Sequence, residues 1–280
     1  MTKYVNENFF DKESKKMYYV LGFAYASYIH NKYHKDSLIF RSSSKKLIDI
    51  VRDNLESDYD VVLDNRGKSS YFFGFTSNHM LSRLEETGLV KDKAKRLFPN
   101  YISERFLDHF IRGFFDAQGY IYITPSRLNS VRFKFNQNFL EELNKSLREY
   151  AHIESNAIPI KLGGRQRQSV IDYGHNNSLK IHDFIYRDFD YIKENNLYLP
   201  SKKDLFNLDY KIQSPGPKKG SHHKKCLDNI NLAKKLILKG YNFKDVSIKI
   251  GYTYYASFFQ RFFNIVGMSP RDFLSSNTKK

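Results

Sequence analysis

Arg132, Lys134 and Asn136 alternate with Val131, Phe133 and Phe135 in one uninterrupted run. On a β-strand, a period of two puts the three apolar residues on one face and the guanidinium, ammonium and carboxamide on the other. Such a polar face suits the major groove of duplex DNA. Arginine can pair with guanine edges and asparagine with adenine, while lysine neutralises phosphate. An ordinary solvent-facing strand also carries lysine and arginine, so the rest of the chain must decide. Arg66 and Lys68 sit in Asn65-Arg66-Gly67-Lys68, which reads as a hairpin turn. Arg165 and Arg167 occupy a second turn, Gly163-Gly164-Arg165-Gln166-Arg167-Gln168, and Arg41 lies in the strand-like run Ser37–Ser42. All are candidate DNA contacts.

Composition narrows the setting of these strands. The chain has 280 residues, 41% of them apolar, with 24 Phe and 21 Tyr, so one large domain or two to three small ones can be filled. No apolar run approaches the roughly 18 residues of a membrane span. The N-terminus shows no apolar secretory segment. Cys226 is the single cysteine, too few for an internal disulfide or a structural zinc site. A cytoplasmic, nucleoid-associated protein is expected. The net charge of +16 points to a polyanionic partner, although a lysine-rich surface from an AT-rich genome would also raise it.

The elements that would hold the strands occur twice. Val20–Tyr28 and Ile111–Gly119 each carry a glycine in an apolar helical run, Gly22 and Gly113, with an alanine four positions on, Ala26 and Ala117. Small residues at that spacing form a flat stripe along which two helices can approach backbone to backbone. The motifs begin 91 residues apart, as in an internal duplication. Strand-like runs follow each: Ser37–Ser42, Tyr59–Leu63 and Tyr71–Thr76 in the first half, Tyr120–Thr124, Val131–Asn136, Ile158–Leu162 and Ser169–Tyr173 in the second. Helices are predicted over Lys45–Leu55, Ser77–Thr87, Gln137–Ala151 and Ser178–Arg187.

Ile111–Gly119 resembles the signature of the LAGLIDADG homing endonucleases, and Val20–Tyr28 looks like a worn first copy. Gly88, Lys91 and Phe98-Pro99 resemble the family's linker between halves. Ile181–Tyr186, Tyr198-Leu199-Pro200 and Lys202-Lys203 resemble its closing stretch. The resemblance spans roughly residues 10–210. It implies an α+β fold of two pseudo-symmetric αββαββα halves, 1–100 and 101–212, with paired motif helices and two antiparallel sheets straddling duplex DNA. In that family the eighth position of each motif is an acid that binds the catalytic metal. Here those positions are Ser27 and Gln118. Hard cations such as Mg²⁺ need anionic oxygens, which a hydroxyl and a carboxamide do not supply. Asp116 lies two residues back, turned by about 200° on the helix, and is expected to pack near the helix end. Tyr25 holds the matching place in the first motif. Asp36 is another acid that could act from elsewhere. Tyr28 replaces the closing glycine, which predicts a different helix end.

Residues 213–225, with two prolines, two glycines and four lysines, read as a basic linker. Beyond it, 226–280 holds two short helical patterns. Val246 and Ile250 are apolar partners four apart before Gly251, and Phe258 and Phe262 share one face of Tyr254–Ile265. Val246, Ile250, Gly251, Tyr252, Phe258, Phe262, Gly267, Ser269, Pro270 and Phe273 are similar in kind and spacing to a helix-turn-helix of the AraC/XylS regulators. That resemblance implies base contacts from Thr253, Tyr255, Ala256, Phe259 and Gln260, with Lys249 and Arg261 on phosphate.

The sequence is therefore read as a sequence-specific duplex DNA-binding protein, monomeric with an internal pseudo-two-fold. It is expected to have no cofactor and to act as a transcriptional regulator. The alternative is an active homing endonuclease using Mg²⁺, with an RNA-binding maturase as a third class.

Overall fold

The computed structural model describes residues 3–30, 37–67, 69–124, 127–155, 157–162, 168–206, 221–252 and 254–278. Lys68, Arg165, Arg167, Thr253, Asp36 and most of the linker lie outside them. The chain divides into two compact units, Met1–Ile212 and Gln213–Lys280.

The first unit is an α+β fold in which one series of elements is used twice. It begins α1 (Lys15–Ser27), β1 (Tyr28–His30), β2 (Ser37–Ser42), α2 (Lys45–Asn54), β3 (Val62–Asp64), β4 (Ser70–Thr76) and α3 (Asn78–Glu86). The series repeats as α4 (Glu104–Gln118), β5 (Gly119–Thr124), β6 (Arg127–Phe135), α5 (Gln137–Tyr150), β7 (Ile160–Lys161), β8 (Ser169–Gly174) and α6 (His175–Ile185), followed by α7 (Phe189–Glu194) and α8 (Pro200–Lys203). Each half folds into a four-stranded antiparallel sheet of the same order, β1-β2-β4-β3 and β5-β6-β8-β7. Their registers correspond: Tyr28 pairs with Phe40 where Gly119 pairs with Phe133.

The two motif helices, α1 and α4, form the centre. Every residue of α1 from Met17 to Ala26 is buried, and so is every residue of α4 from Phe106 to Asp116. The glycines permit this. A Cβ on Gly22 would stand 2.0 Å from the Phe110 carbonyl oxygen, and one on Gly113 would stand 1.9 Å from that of Tyr19. The contact is reciprocal, backbone against backbone, as the small-residue spacing predicts. Inner-face residues of the sheets, among them Phe40, Phe73, Val131, Phe133 and Tyr173, complete the core around the pair.

Serine and asparagine side chains start several helices. Ser44, Ser77 and Asn136 each accept a hydrogen bond from the backbone N–H three residues on. This corrects the reading of Asn136. It is not the last polar residue of a DNA-facing strand but the N-cap of α5, and its amide also donates to the Arg96 carbonyl at 2.7 Å. Other boundaries differ as well, among them the start of β6 at Arg127 rather than Val131. β3 begins at Val62 rather than Tyr59, because Asp58 is tied to Tyr4 through both its N–H and its carboxylate. β7 is only Ile160–Lys161. α6 starts at His175, three residues early, and Ser178 is buried with its hydroxyl on the Tyr173 carbonyl at 2.7 Å.

The helix ends also agree better than the motif suggests. Tyr28 (φ −63°, ψ 131°) and Gly119 (φ −79°, ψ 154°) both leave their helices in extended conformation. Any residue adopts that region, so the loss of the first glycine does not change the backbone path.

The second unit is all-α: α9 (Ser221–Leu238), α10 (Phe243–Lys249), α11 (Tyr255–Val266) and α12 (Pro270–Thr278). Ile230, Ala233, Ile237, Val246, Ile250, Phe258 and Phe262 form its core. Gly251 takes φ +89° in the turn between α10 and α11, a conformation that favours glycine. Among the described residues no helix is long and apolar enough to cross a membrane.

Candidate nucleic-acid interface

The C-terminal ends of α1 and α4 emerge side by side at a cleft of about 380 Å³. Ser27 and Gln118 line it with Arg41, Lys93, Ser42, Ser43, Ser70 and Tyr120. Among the described lining residues there is no carboxylate. Among the described residues no group of three or more His, Cys, Asp and Glu is placed to hold a metal ion. The donor set of hydroxyls, a carboxamide and two cations does not fit a divalent cation, which needs anionic oxygens.

Positive charge is built into these helix ends. A helix C-terminus leaves unpaired carbonyls and carries partial negative charge, so cations are favoured there. At the end of α1, Arg96 is fully buried and donates to the carbonyls of Tyr25 at 2.6 Å and Tyr28 at 2.9 Å. Lys93 donates to the Ala26 carbonyl. At the end of α4, Lys202 donates to the carbonyls of Phe115 and Gly119, both at 2.6 Å. Burial pushes Lys93 and Lys202 down to about 8, helped at Lys93 by the nearby charges of Arg96 and Lys134. Sequence reading had set Lys202 only within a motif and missed Lys93 and Arg96 altogether. A basic residue following the half-closing helix was the available signal.

Asp116 is withdrawn from this cleft. It is buried, and its Oδ2 accepts from the Tyr19 hydroxyl at 2.8 Å and the Leu199 N–H at 2.9 Å. It therefore clamps the closing segment to α4. Tyr25, its counterpart, sends its hydroxyl to the Thr87 carbonyl at 2.5 Å. Burial raises the Asp116 carboxyl to about 6, against the pull of Lys202, the Tyr19 hydroxyl and Arg112. A carboxyl raised on folding holds its proton more tightly folded than unfolded. Its stabilising effect is full below the ordinary carboxyl range near pH 4 and is lost as pH rises through about 6. Asp116→Asn should therefore gain on the wild type in urea unfolding as pH rises from 4 to 7. A pH-independent difference would show that Asp116 does not titrate in that window.

The outer sheet faces carry the other candidates. Arg132 and Lys134 are half-buried on β6, while Val131, Phe133 and Phe135 between them face the core. Arg132 is held by Asp172 of β8 and lies 4.6 Å above the exposed Tyr122 ring of β5. In the first sheet Asp64 joins Arg41 at 3.1 Å and Arg66 at 3.0 Å. The side-chain and backbone hydrogen bonds of Arg66, with Arg41 beside them, hold the Asp64 carboxyl well below the usual range. Arg66 is exposed, whereas Arg41 is half-buried at the cleft. Tyr120, Tyr122 and Asp172 were not singled out from sequence.

In the second unit Tyr255, Ala256, Phe259 and Gln260 are exposed on α11, and Lys249 is exposed on α10 with its ammonium over Tyr241. Arg261 is also exposed, but its Nε donates to Cys226 Sγ at 2.9 Å, turning the guanidinium towards α9.

No protein-family model and no curated protein sequence matches the chain. Among solved structures, it is similar to the homing endonuclease I-WcaI bound to its DNA recognition sequence. The identity is 14% over 70% of this chain and 88% of that one, with a TM-score of 0.47. It is also similar to full-length DUF199/WhiA from Thermatoga maritima, at 12% identity over 95% of this chain and 96% of that one, TM-score 0.45. The N-terminal LAGLIDADG domain of DUF199/WhiA matches at 15% identity over 64% and 87%, TM-score 0.40.

Proposed function

We propose that this chain is a sequence-specific duplex DNA-binding protein on a LAGLIDADG-type scaffold, without strand cleavage, that serves as a regulator of transcription. The observation that carries the reading is the cleft at the paired helix ends. Ser27 and Gln118 stand there beside Arg41 and Lys93, with no carboxylate among the described lining residues. That surface can receive a phosphodiester backbone through cations, hydroxyls and an amide. It lacks the anionic oxygens with which a divalent ion would activate water.

Two halves, 1–100 and 101–212, would each present one sheet to DNA. A basic linker, 213–225, would tether a helix-turn-helix of AraC type, 226–280. The α10–Gly251–α11 arrangement supports that assignment. With α11 in a major groove, Gln260 would meet base edges, and Tyr255 and Phe259 would meet thymine methyls. Joining two modest binders on one chain raises the effective concentration of the second site. A composite site can then be held more tightly than by either part.

The test is incubation of the full chain with a plasmid library in Mg²⁺ and separately in Mn²⁺, followed by sequencing of bound fragments and of ends. Enrichment of one long intact site without ends is the expected result. The paired variant Ser27→Asp with Gln118→Asp is expected to gain Mn²⁺-dependent nicking at that site. Discrete ends made by the wild type would overturn the binder reading in favour of an endonuclease.

A further inference from the structure

We propose that Asp172 is a positioning residue that fixes Arg132 for recognition of a guanine. The inference rests on the duplex DNA reading above and names a specificity determinant within it.

Arg132 and Asp172 lie directly opposite each other in the β6–β8 register. Asp172 Oδ1 accepts from Arg132 Nε at 2.6 Å and Oδ2 accepts from Nη2 at 2.5 Å. The side-on edge of the guanidinium is thus fully taken. Its third terminal partner is the Tyr122 hydroxyl, which accepts from Nη1 at 3.0 Å, while the Tyr122 ring supports the guanidinium from below. Two parallel hydrogen bonds, a third at the far nitrogen and an aromatic face fix the plane and direction of the group. Among the described residues, one N–H on each terminal nitrogen has no partner. That pair matches guanine O6 and N7, the commonest specific arginine contact in a major groove.

The placement of the carboxylate needs a reason. A half-exposed ion pair contributes little to stability. On a face offered to phosphates, a negative charge opposes binding. Its two oxygens are spent on orienting one arginine, which is the use that offsets this. The first sheet holds a looser relative of this pairing at another register position: Asp64 joins Arg41 through Nη1 alone and also joins Arg66, and Arg41 lies 5.2 Å over the Phe72 ring.

The experiment compares the full-length wild type with Arg132→Ala, Asp172→Ala and Asp172→Asn. Each is bound to duplexes carrying a randomised segment, the bound fraction is sequenced, and total duplex affinity is measured at two salt concentrations. Arg132→Ala is expected to flatten one guanine position and to weaken binding overall. Asp172→Ala should lose the preference at that same position by roughly tenfold. It should bind bulk duplex as well as or better than the wild type, because a negative charge is gone. Asp172→Asn, which keeps one acceptor, should fall between. A guanine preference intact in Asp172→Ala overturns the proposal. So does loss of a cytosine preference instead, which would make Asp172 itself the reader, or an equal loss of affinity for all sequences. A wild type with no duplex affinity overturns the DNA reading as well. A wild type that binds with no Arg132-dependent guanine overturns this inference alone.

Discussion

Gly113→Ala should lower the stability of the first unit by about 3 kcal/mol or more, at or above the usual range for overpacking a core. Gly22→Ala should behave alike. The added methyl in either variant would stand at about half a normal contact distance from a carbonyl oxygen of the facing helix. No rotamer relieves this, because the obstructing atom is backbone and the intruding atom is Cβ. The helices must separate, and their aromatic flanks, Tyr18 on Phe106 and Tyr25 on Phe110, must separate with them. Thermal unfolding followed by far-UV circular dichroism should show the first unit melting roughly 10 °C lower. An unchanged midpoint would mean that the helices do not meet at these glycines.

Arg112→Met is expected to cost as much or more, about 3–5 kcal/mol, in urea unfolding of the full chain. Arg112 is fully buried on α4 and donates to the carbonyls of Leu197 at 2.7 Å and Ile185 at 2.8 Å, and it lies within 2.6 Å of His109 Nδ1. Methionine fills the volume but leaves both carbonyls without a partner. It also removes a positive charge that eases the burial of Asp116 and Asp108. Arg112→Lys should recover little, since one ammonium cannot span the same carbonyls with a fixed fork. A loss below about 1 kcal/mol for the methionine variant would show that water reaches these groups.

Local spacing made the helical centre and the strand polarity legible. Gly22 and Gly113 announce the close approach through their apolar surroundings, and period two places Arg132 and Lys134 on one face of β6. Asn136 was misread because the same alternation runs on through it. The competing signal was an asparagine followed three residues later by Phe139 in a helical pattern, which marks an N-cap. Partnerships across sequence were not legible. Asp172 is 40 residues from Arg132, and nothing local ties them. The structural use of part of the positive charge was illegible for the same reason. Arg96, Arg112, Lys93 and Lys202 all count towards +16, and each donates to backbone carbonyls at helix ends and turns, Lys93 while lining the cleft. Burial of a cation depends on where a distant backbone ends, which residue type alone does not reveal.

The facing glycines also set a timetable for synthesis. Helix α1 is buried on every side from Met17 to Ala26: α2 and β2 of its own half cover one part of it, and α4, whose motif is translated 91 residues later, covers the glycine face. At roughly 5–20 residues per second, the nascent α1 waits about 5–20 s for its partner. The first half therefore leaves the ribosome with the glycine face of its central helix uncovered until the second half arrives.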